Sequence, residues 1–256
     1  MPEVMIQKLP LQVALHLGRQ LIAAAGQPGL VLPSEQEICE EYGVSRTVAR
    51  EAVRILEGLD LVRVSSGRRM ELRPPREWDY LNPLLIQMLD PVDVRQILID
   101  LHEVRLLIEP AVTGRAATML SAEGLARLES CLARMRELED DPDRYLEQDL
   151  LFHMEICWAV GNRVLDRILY SCRWLLAASR KVTNLLWESL AAVTAEHEAI
   201  YRALAARDPS AAEAAMRAHL EGNARAWVFE PVVIEQAVQA SKAKMLSSPE
   251  AESSVS

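Results

Sequence analysis

Residues 45–69 read SRTVAREAVRILEGLDLVRVSSGRR, and this stretch decides the fold. Ser45 can cap a helix over 46–59, in which Val48, Ala49, Ala52, Val53 and Leu56 recur at helical spacing. After Asp60 the pattern changes to two short strands, 61–65 and 69–73, joined at Ser66-Gly67-Arg68. Working towards the N-terminus, LPSEQEICEEYG (32–43) places Glu37 three residues after Ser34. That is a capping box, so a short helix starts there and stops near Gly43. A further helix runs from Leu9 to Ala25, through Leu9, Val13, Leu17 and Leu21, and ends at Gly26-Gln27-Pro28-Gly29. Three helices and a hairpin within residues 1–75, with a short break before the third helix, make a winged helix-turn-helix domain.

Beyond this unit Pro74-Pro75 introduces a linker, 76–91, with a possible short helix at Leu81–Leu89. Trp78, Tyr80 and Leu81 read as apolar anchors between domains. Periodic segments then cover 92–118, 121–138, 143–160, 162–187, 190–207 and 209–229, and Pro110 predicts a kink in the first. The breaks between them are short, which implies antiparallel neighbours and an all-helical bundle of six or seven helices over 92–235. The fold class is thus mostly α. Residues 236–256 turn polar, end in SSPEAESSVS, and read as a disordered tail.

The composition agrees. A chain of 256 residues suggests about two domains. Aromatic residues make up only 5%, a bias that favours helix over sheet. No apolar run is long enough to span a membrane, and MPEVMIQKLP lacks the pattern of a secretory signal. The four cysteines, at 39, 131, 157 and 172, are far apart and form no CxxC, which argues against disulfides or a cysteine zinc site. A reducing cytoplasm is the expected location.

The net charge of −9 conceals a split. Residues 46–76 hold eight Arg against four acidic residues, a local charge of +4. Basic charge gathered on one short segment suits a phosphate backbone, whatever the total. On the helix starting at 46, Arg46, Thr47 and Arg50 fall in the first turn and a half, the part of a recognition helix that reaches base edges. Arg46 and Arg50 share a face, and Arg can form two hydrogen bonds to guanine. Ser45, Thr47 and the first helical N–H groups suit phosphates. Gly67 at the wing tip lets backbone approach the minor groove, with Arg68 and Arg69 on phosphates. The alternative is a solvated Arg face on a small helical domain.

Over residues 9–73 the chain resembles the DNA-binding domain of GntR-type bacterial transcription regulators. The resemblance rests on Pro33-Ser34-Glu35, Gly43-Val44-Ser45-Arg46 and Arg50-Glu51-Ala52. It implies base contacts from Arg46 and Arg50, a wing contact from Gly67, and DNA contacts around Ser34 and position 36. Many members carry Arg at that last position, where this chain has Gln36.

Three of the five histidines form a constellation with one aspartate. Asp149 and His153 are i,i+4 on one helix face. His197 and His219 each lie 11 residues from the break at Asp208. At about 1.5 Å per residue both stand roughly 16 Å from the turn, and so at one height across an antiparallel pair. Three imidazoles and a carboxylate can bind zinc, nickel or a similar divalent ion. DxxxH alone is more often a surface pair. His16 and His102 lack such partners, and a surface or partly buried role is expected for them.

Residues 92–228 resemble the metal-containing FCD effector domain of the FadR branch of GntR regulators. The pieces are EVRLLIEP, DLLFHMEI, Gly161-Asn162, EHEAIYRAL and ARDPSAAEAAMRAHL. The resemblance implies Asp149, His153, His197 and His219 as metal ligands and Arg105 as the partner of a carboxylate effector. A divalent ion, one Asp and Arg105 together leave about two positive charges, a fit for a small anion. Alternatively, Arg105 forms a salt bridge with Glu109, its i+4 neighbour. WDYLNPLLIQML resembles the linker of members that respond to sugar acids such as galactonate.

Three functions follow. The first is a homodimeric repressor that binds a palindromic double-stranded DNA operator and is released by a small carboxylate. The second is a regulator that senses the metal itself. The third, a metal-dependent hydrolase or lyase, finds no support in HExxH, paired ExxH motifs or a spare general base, so the chain is expected not to be an enzyme.

Overall fold

A computed structural model describes residues 9–65, 69–186 and 189–229. Gly67 and Arg68 lie outside the described residues, as does the tail expected over 236–256. The chain divides into two compact units, with the boundary between Val94 and Arg95.

The first unit begins with α1 (Leu9–Ala23), α2 (Glu35–Tyr42) and α3 (Arg46–Gly58). Ser34 caps α2 through the full capping box: its hydroxyl accepts from the Glu37 backbone N–H, and the Glu37 carboxylate accepts from the Ser34 N–H at 2.6 Å. Gly43 ends α2 in the left-handed region at φ 63°, which reverses the chain at little cost without a Cβ. Two residues later Ser45 caps α3, its hydroxyl accepting from the Val48 N–H. Cap, left-handed glycine and cap together make the tight turn between α2 and α3. Ile38 of α2, Ala49, Ala52, Val53 and Leu56 of α3, and Val13, Ala14, Leu17 and Leu21 of α1 are buried, with α3 packed against both other helices.

The hairpin is present but shorter than the sequence pattern suggests. β1 (Val62–Arg63) and β2 (Glu71–Leu72) pair antiparallel in the register Val62↔Leu72 and Arg63↔Glu71. Val64, expected inside the first strand, is exposed, while the Val64 N–H donates to the Glu57 side chain at 2.9 Å. That bond belongs to α3 rather than to a strand ladder.

Residues 76–91 are grouped with the first unit. A 3₁₀ turn at Pro75–Glu77 is followed by α4 (Pro83–Met88), capped by Asn82, and Leu85, Ile86, Met88 and Leu89 are buried. α4 packs on α1 at Gly18, where any Cβ would stand 2.3 Å from the Met88 sulfur. Arg19 locks the contact by donating from Nε and Nη2 to the Gln87 carbonyl at 3.2 Å. Trp78 is an anchor within this unit: it is buried and its indole N–H donates to the Arg73 carbonyl at 2.8 Å. Leu81, expected to be an anchor, is exposed.

The second unit holds the bundle: α5 (Pro91–Met119, entering from the first unit), α6 (Ala122–Glu137), α7 (Pro142–Ala159), α8 (Arg163–Leu186), α9 (Leu190–Ala205) and α10 (Pro209–Phe229). α5 continues as one helix through Pro110. Its core joins Leu128, Leu132 and Met135 of α6 to Phe152 and Ile156 of α7, Ile200 and Leu204 of α9, and Met216 and Leu220 of α10. Arg207, left-handed at φ 58° in the α9–α10 turn, donates to the Ala117 and Leu120 carbonyls, two of the orphan acceptors at the end of α5. All four cysteines are free thiols, and three are buried. Among the described residues no helix is long and apolar enough to cross a membrane.

Candidate functional site: a buried three-histidine centre and an exposed recognition helix

The expected ligand set comes together. Asp149 and His153 on α7, His197 on α9 and His219 on α10 are all buried, and one donor atom from each lies within 4.8 Å of the others. His197 Nε2 is 3.0 Å from Asp149 Oδ1 and 3.2 Å from His153 Nε2. The rings of His197 and His219 are 4.4 Å apart, so the equal offsets from Asp208 do bring the two to one height.

Each imidazole is held from behind by its other nitrogen. His153 Nδ1 meets Glu109 Oε2 at 2.8 Å, His197 Nδ1 meets the Val193 carbonyl at 2.8 Å, and His219 Nδ1 meets Glu196 Oε2 at 2.8 Å. With the proton on Nδ1 facing an oxygen, Nε2 carries the lone pair, the tautomer a metal ligand needs. Donors 3.0 and 3.2 Å apart are spaced like adjacent ligands on one ion with bonds of about 2.0–2.2 Å. The residues present therefore fit a divalent ion. Imidazole and carboxylate donors suit zinc or nickel, and such an ion would supply positive charge and coordination positions for an anion.

Arg105 stands beside this centre on α5, with only 3% of its surface exposed. Its Nε donates to Glu109 Oε1 at 2.6 Å, so the i+4 salt bridge exists. Nη1 and Nη2 are buried and have no hydrogen-bond partner among the described residues. A buried guanidinium with two unused donor nitrogens is costly unless something accepts from them. Glu109 then joins the two features, since its second oxygen is the one on His153.

Other buried polar groups surround the centre. Tyr145 and Thr194 share a hydrogen bond at 3.2 Å, and burial pushes the Tyr145 hydroxyl's pKa upwards. Burial likewise raises Glu196. His102 is buried rather than superficial. Desolvation, helped by the Arg105 charge, pushes it down to about 4, so it is neutral near pH 7. His16 sits at the surface of the first unit, its Nδ1 3.0 Å from the Tyr42 hydroxyl. The sequence pattern does not mark Glu109 or Glu196 as part of a metal site. The signal for Glu196 was slight, adjacency to His197; Glu109 was legible only as the neighbour of Arg105.

On the head, Arg46, Thr47 and Arg50 are exposed at the start of α3. Ser34 and Ser45 are occupied as caps, through hydroxyl groups that accept backbone N–H. Arg50 Nη2 is 3.4 Å from Glu35, Gln36 Nε2 donates to Glu40 at 3.0 Å, and Arg69 meets Glu37 and the Leu32 carbonyl. Apart from the half-buried Arg69–Leu32 contact, these are exposed pairs, worth little in water, which phosphates can replace.

Comparison with known proteins places both units. Residues 9–72 match the family of bacterial regulatory proteins called gntR, and residues 100–222 match the FCD domain. The chain is similar to the galactonate operon transcriptional repressor of Escherichia coli (strain K12), 30% identical over 80% of this chain and 90% of the relative. It is also similar to the HTH-type transcriptional regulator LutR of Bacillus subtilis (strain 168), 32% identical over 76% of this chain and 90% of LutR. Among solved structures, Lar, which controls the expression of the Listeria monocytogenes agr system, superposes with a TM-score of 0.55. At 17% identity, covering 88% of this chain and 99% of Lar, that likeness shows the fold. With a head that matches one family model followed by a bundle that matches the other, and relatives that are transcription regulators, the chain belongs to the GntR family of transcription regulators, in the FadR branch that carries an FCD domain.

Proposed function

We propose that this regulator is a homodimeric repressor whose heads bind the half-sites of a palindromic operator. A small carboxylate, a sugar acid such as galactonate, releases it by binding at a divalent metal in the bundle. The observation that carries the reading is Arg105: a buried guanidinium whose Nη1 and Nη2 lack partners, one carboxylate away from the metal ligand His153. The ion is held by Asp149, His153, His197 and His219, with zinc the leading candidate. The effector's carboxylate accepts two hydrogen bonds from Arg105, the fork geometry that Arg provides and Lys does not. The similarity to a galactonate operon repressor supports the sugar-acid class. In the head, Arg46 and Arg50 read base edges, Ser45 and Thr47 sit on phosphates, and Ser34 and Gln36 lie at the backbone with Gly67 and Arg68 of the wing. To release DNA, the effector must bind the DNA-incompetent arrangement more tightly than the competent one.

The test is thermal unfolding of metal-loaded and metal-stripped protein against galactonate, gluconate, 2-keto-3-deoxygluconate and lactate. A ligand at about 100 times its dissociation constant stabilises by about 2.7 kcal/mol. The expected result is a shift with one acid that disappears on stripping and in Arg105→Gln. Stabilisation by every acid alike, or by none, overturns the reading. The same four protein donors also support a second reading, in which the metal is itself the signal. Operator release by metal with no acid present would select it.

A further inference from the structure

Glu109 touches both halves of the bundle site: it holds the metal ligand His153 from behind, and it also meets the Arg105 guanidinium. Its two oxygens diverge: Oε1 accepts from Arg105 Nε at 2.6 Å and Oε2 from His153 Nδ1 at 2.8 Å. All three side chains are buried, so water does not screen these contacts. The contact on His153 keeps its proton on Nδ1 and its lone pair on Nε2. The contact on Arg105 occupies the Nε edge of the guanidinium, while Nη1 and Nη2 have no partner among the described residues.

We propose that Glu109 is a positioning residue shared by the metal ligand and the effector-binding arginine, so that metal and carboxylate each tighten the binding of the other through it. The inference rests on the metal and carboxylate reading given above. The physical reason is competition for one carboxylate's electron density. An anion on Nη1 and Nη2 offsets the guanidinium charge and weakens its pull on Glu109. Glu109 then accepts more strongly from the His153 N–H, which makes Nε2 a better donor. In the other direction, a cation on Nε2 polarises the ring and draws Glu109 towards Nδ1–H, leaving the guanidinium less neutralised and more attractive to an anion. Linkage requires the two effects to be equal.

The test uses the full chain and Glu109→Gln, which keeps the shape but has one acceptor oxygen for two donors. Zinc affinity is measured by chelator competition, and the cobalt-substituted protein is examined by visible absorption. Glu109→Gln is expected to lose about 10–100-fold in zinc affinity and to change the cobalt spectrum. Arg105→Gln, which leaves Glu109 to His153 alone, is expected to bind zinc at least as tightly as the wild type. A Glu109→Gln protein that is merely less stable, with wild-type zinc affinity and spectrum, overturns the proposal. A wild type that binds neither zinc nor cobalt overturns the metal reading itself, and this inference with it. Should Glu109→Gln fail to fold, long-range proton–nitrogen NMR on the wild type decides. His153 protonated at Nδ1 supports the arrangement, and His153 protonated at Nε2 in metal-free protein overturns it.

Discussion

On the head, Arg50 and Glu35 pair with side chains 60% and 42% exposed; in the bundle, Arg105 and Glu109 pair at 3% and 6%. Both are Arg–Glu contacts close to a residue expected to meet ligand, and they differ in almost everything else. The exposed pair forms and breaks at little cost, because water solvates each partner. That suits a surface which must exchange its contacts for phosphates. The buried pair cannot be broken so cheaply, since each partner left alone is a desolvated charge. A site of this kind is part of the core, and its residues serve stability and binding together. Recognition of DNA can therefore be altered residue by residue, whereas the proposed effector site changes only with the stability of the domain around it.

The sharpest way to break that contrast is to remove one arginine from each pair. Arg105→Met should cost about 3–5 kcal/mol of folding stability in metal-free protein, by removing the cation that balances the buried Glu109 carboxylate, while Arg50→Met should cost no more than about 1 kcal/mol. Urea denaturation of both variants measures the difference, and equal costs would erase the distinction. A pH titration probes the same buried environment. His102 has a folded pKa near 4 against 6.5 in the unfolded chain, so between those values the unfolded state binds the extra proton. Stability should fall as pH drops from 6.5 towards 4, by an order of 3 kcal/mol, and His102→Leu should remove that part of the acid sensitivity.

The head should show the opposite behaviour, with function separated from stability. Arg46→Ala is expected to weaken operator binding by about 1–3 kcal/mol and relax selectivity at one base pair, with an unchanged melting temperature. Fluorescence anisotropy on matched and mismatched duplexes checks both points. A smaller effect belongs to Ser45→Ala, which removes the cap of α3 and should cost about 1 kcal/mol in the urea midpoint. A larger loss of DNA affinity than of stability there would mean that the Ser45 hydroxyl serves phosphate before it serves the helix.

Much of this architecture was legible along the chain, for reasons of local chemistry. Ser34 with Glu37, Gly43 and Ser45 announce their turns because each cap is completed within three or four residues. His197 and His219 could be set level with one another because a helix rises by a constant step from a shared turn. The hairpin was less legible. Strand ends depend on which N–H groups find partners, and the Val64 N–H goes to Glu57. Hydrophobicity alone marks Leu81 as an anchor between domains, and among the described residues it is exposed. The double role of Glu109 was invisible, because its i+4 relation to Arg105 satisfied the pattern and gave no hint of His153, 44 residues away.

By itself, then, the sequence determined the elements, their order, the head with its exposed arginines and the identity of the four clustered donors. Each of these follows from spacing, capping or composition acting over a few turns. Only the tertiary structure decided that the donors are buried, that each histidine's Nδ1 is committed to an oxygen, and that Arg105 and His153 share one carboxylate. Those are contacts between helices distant in the chain, and their chemistry depends on the exclusion of water, which packing creates and no local pattern encodes.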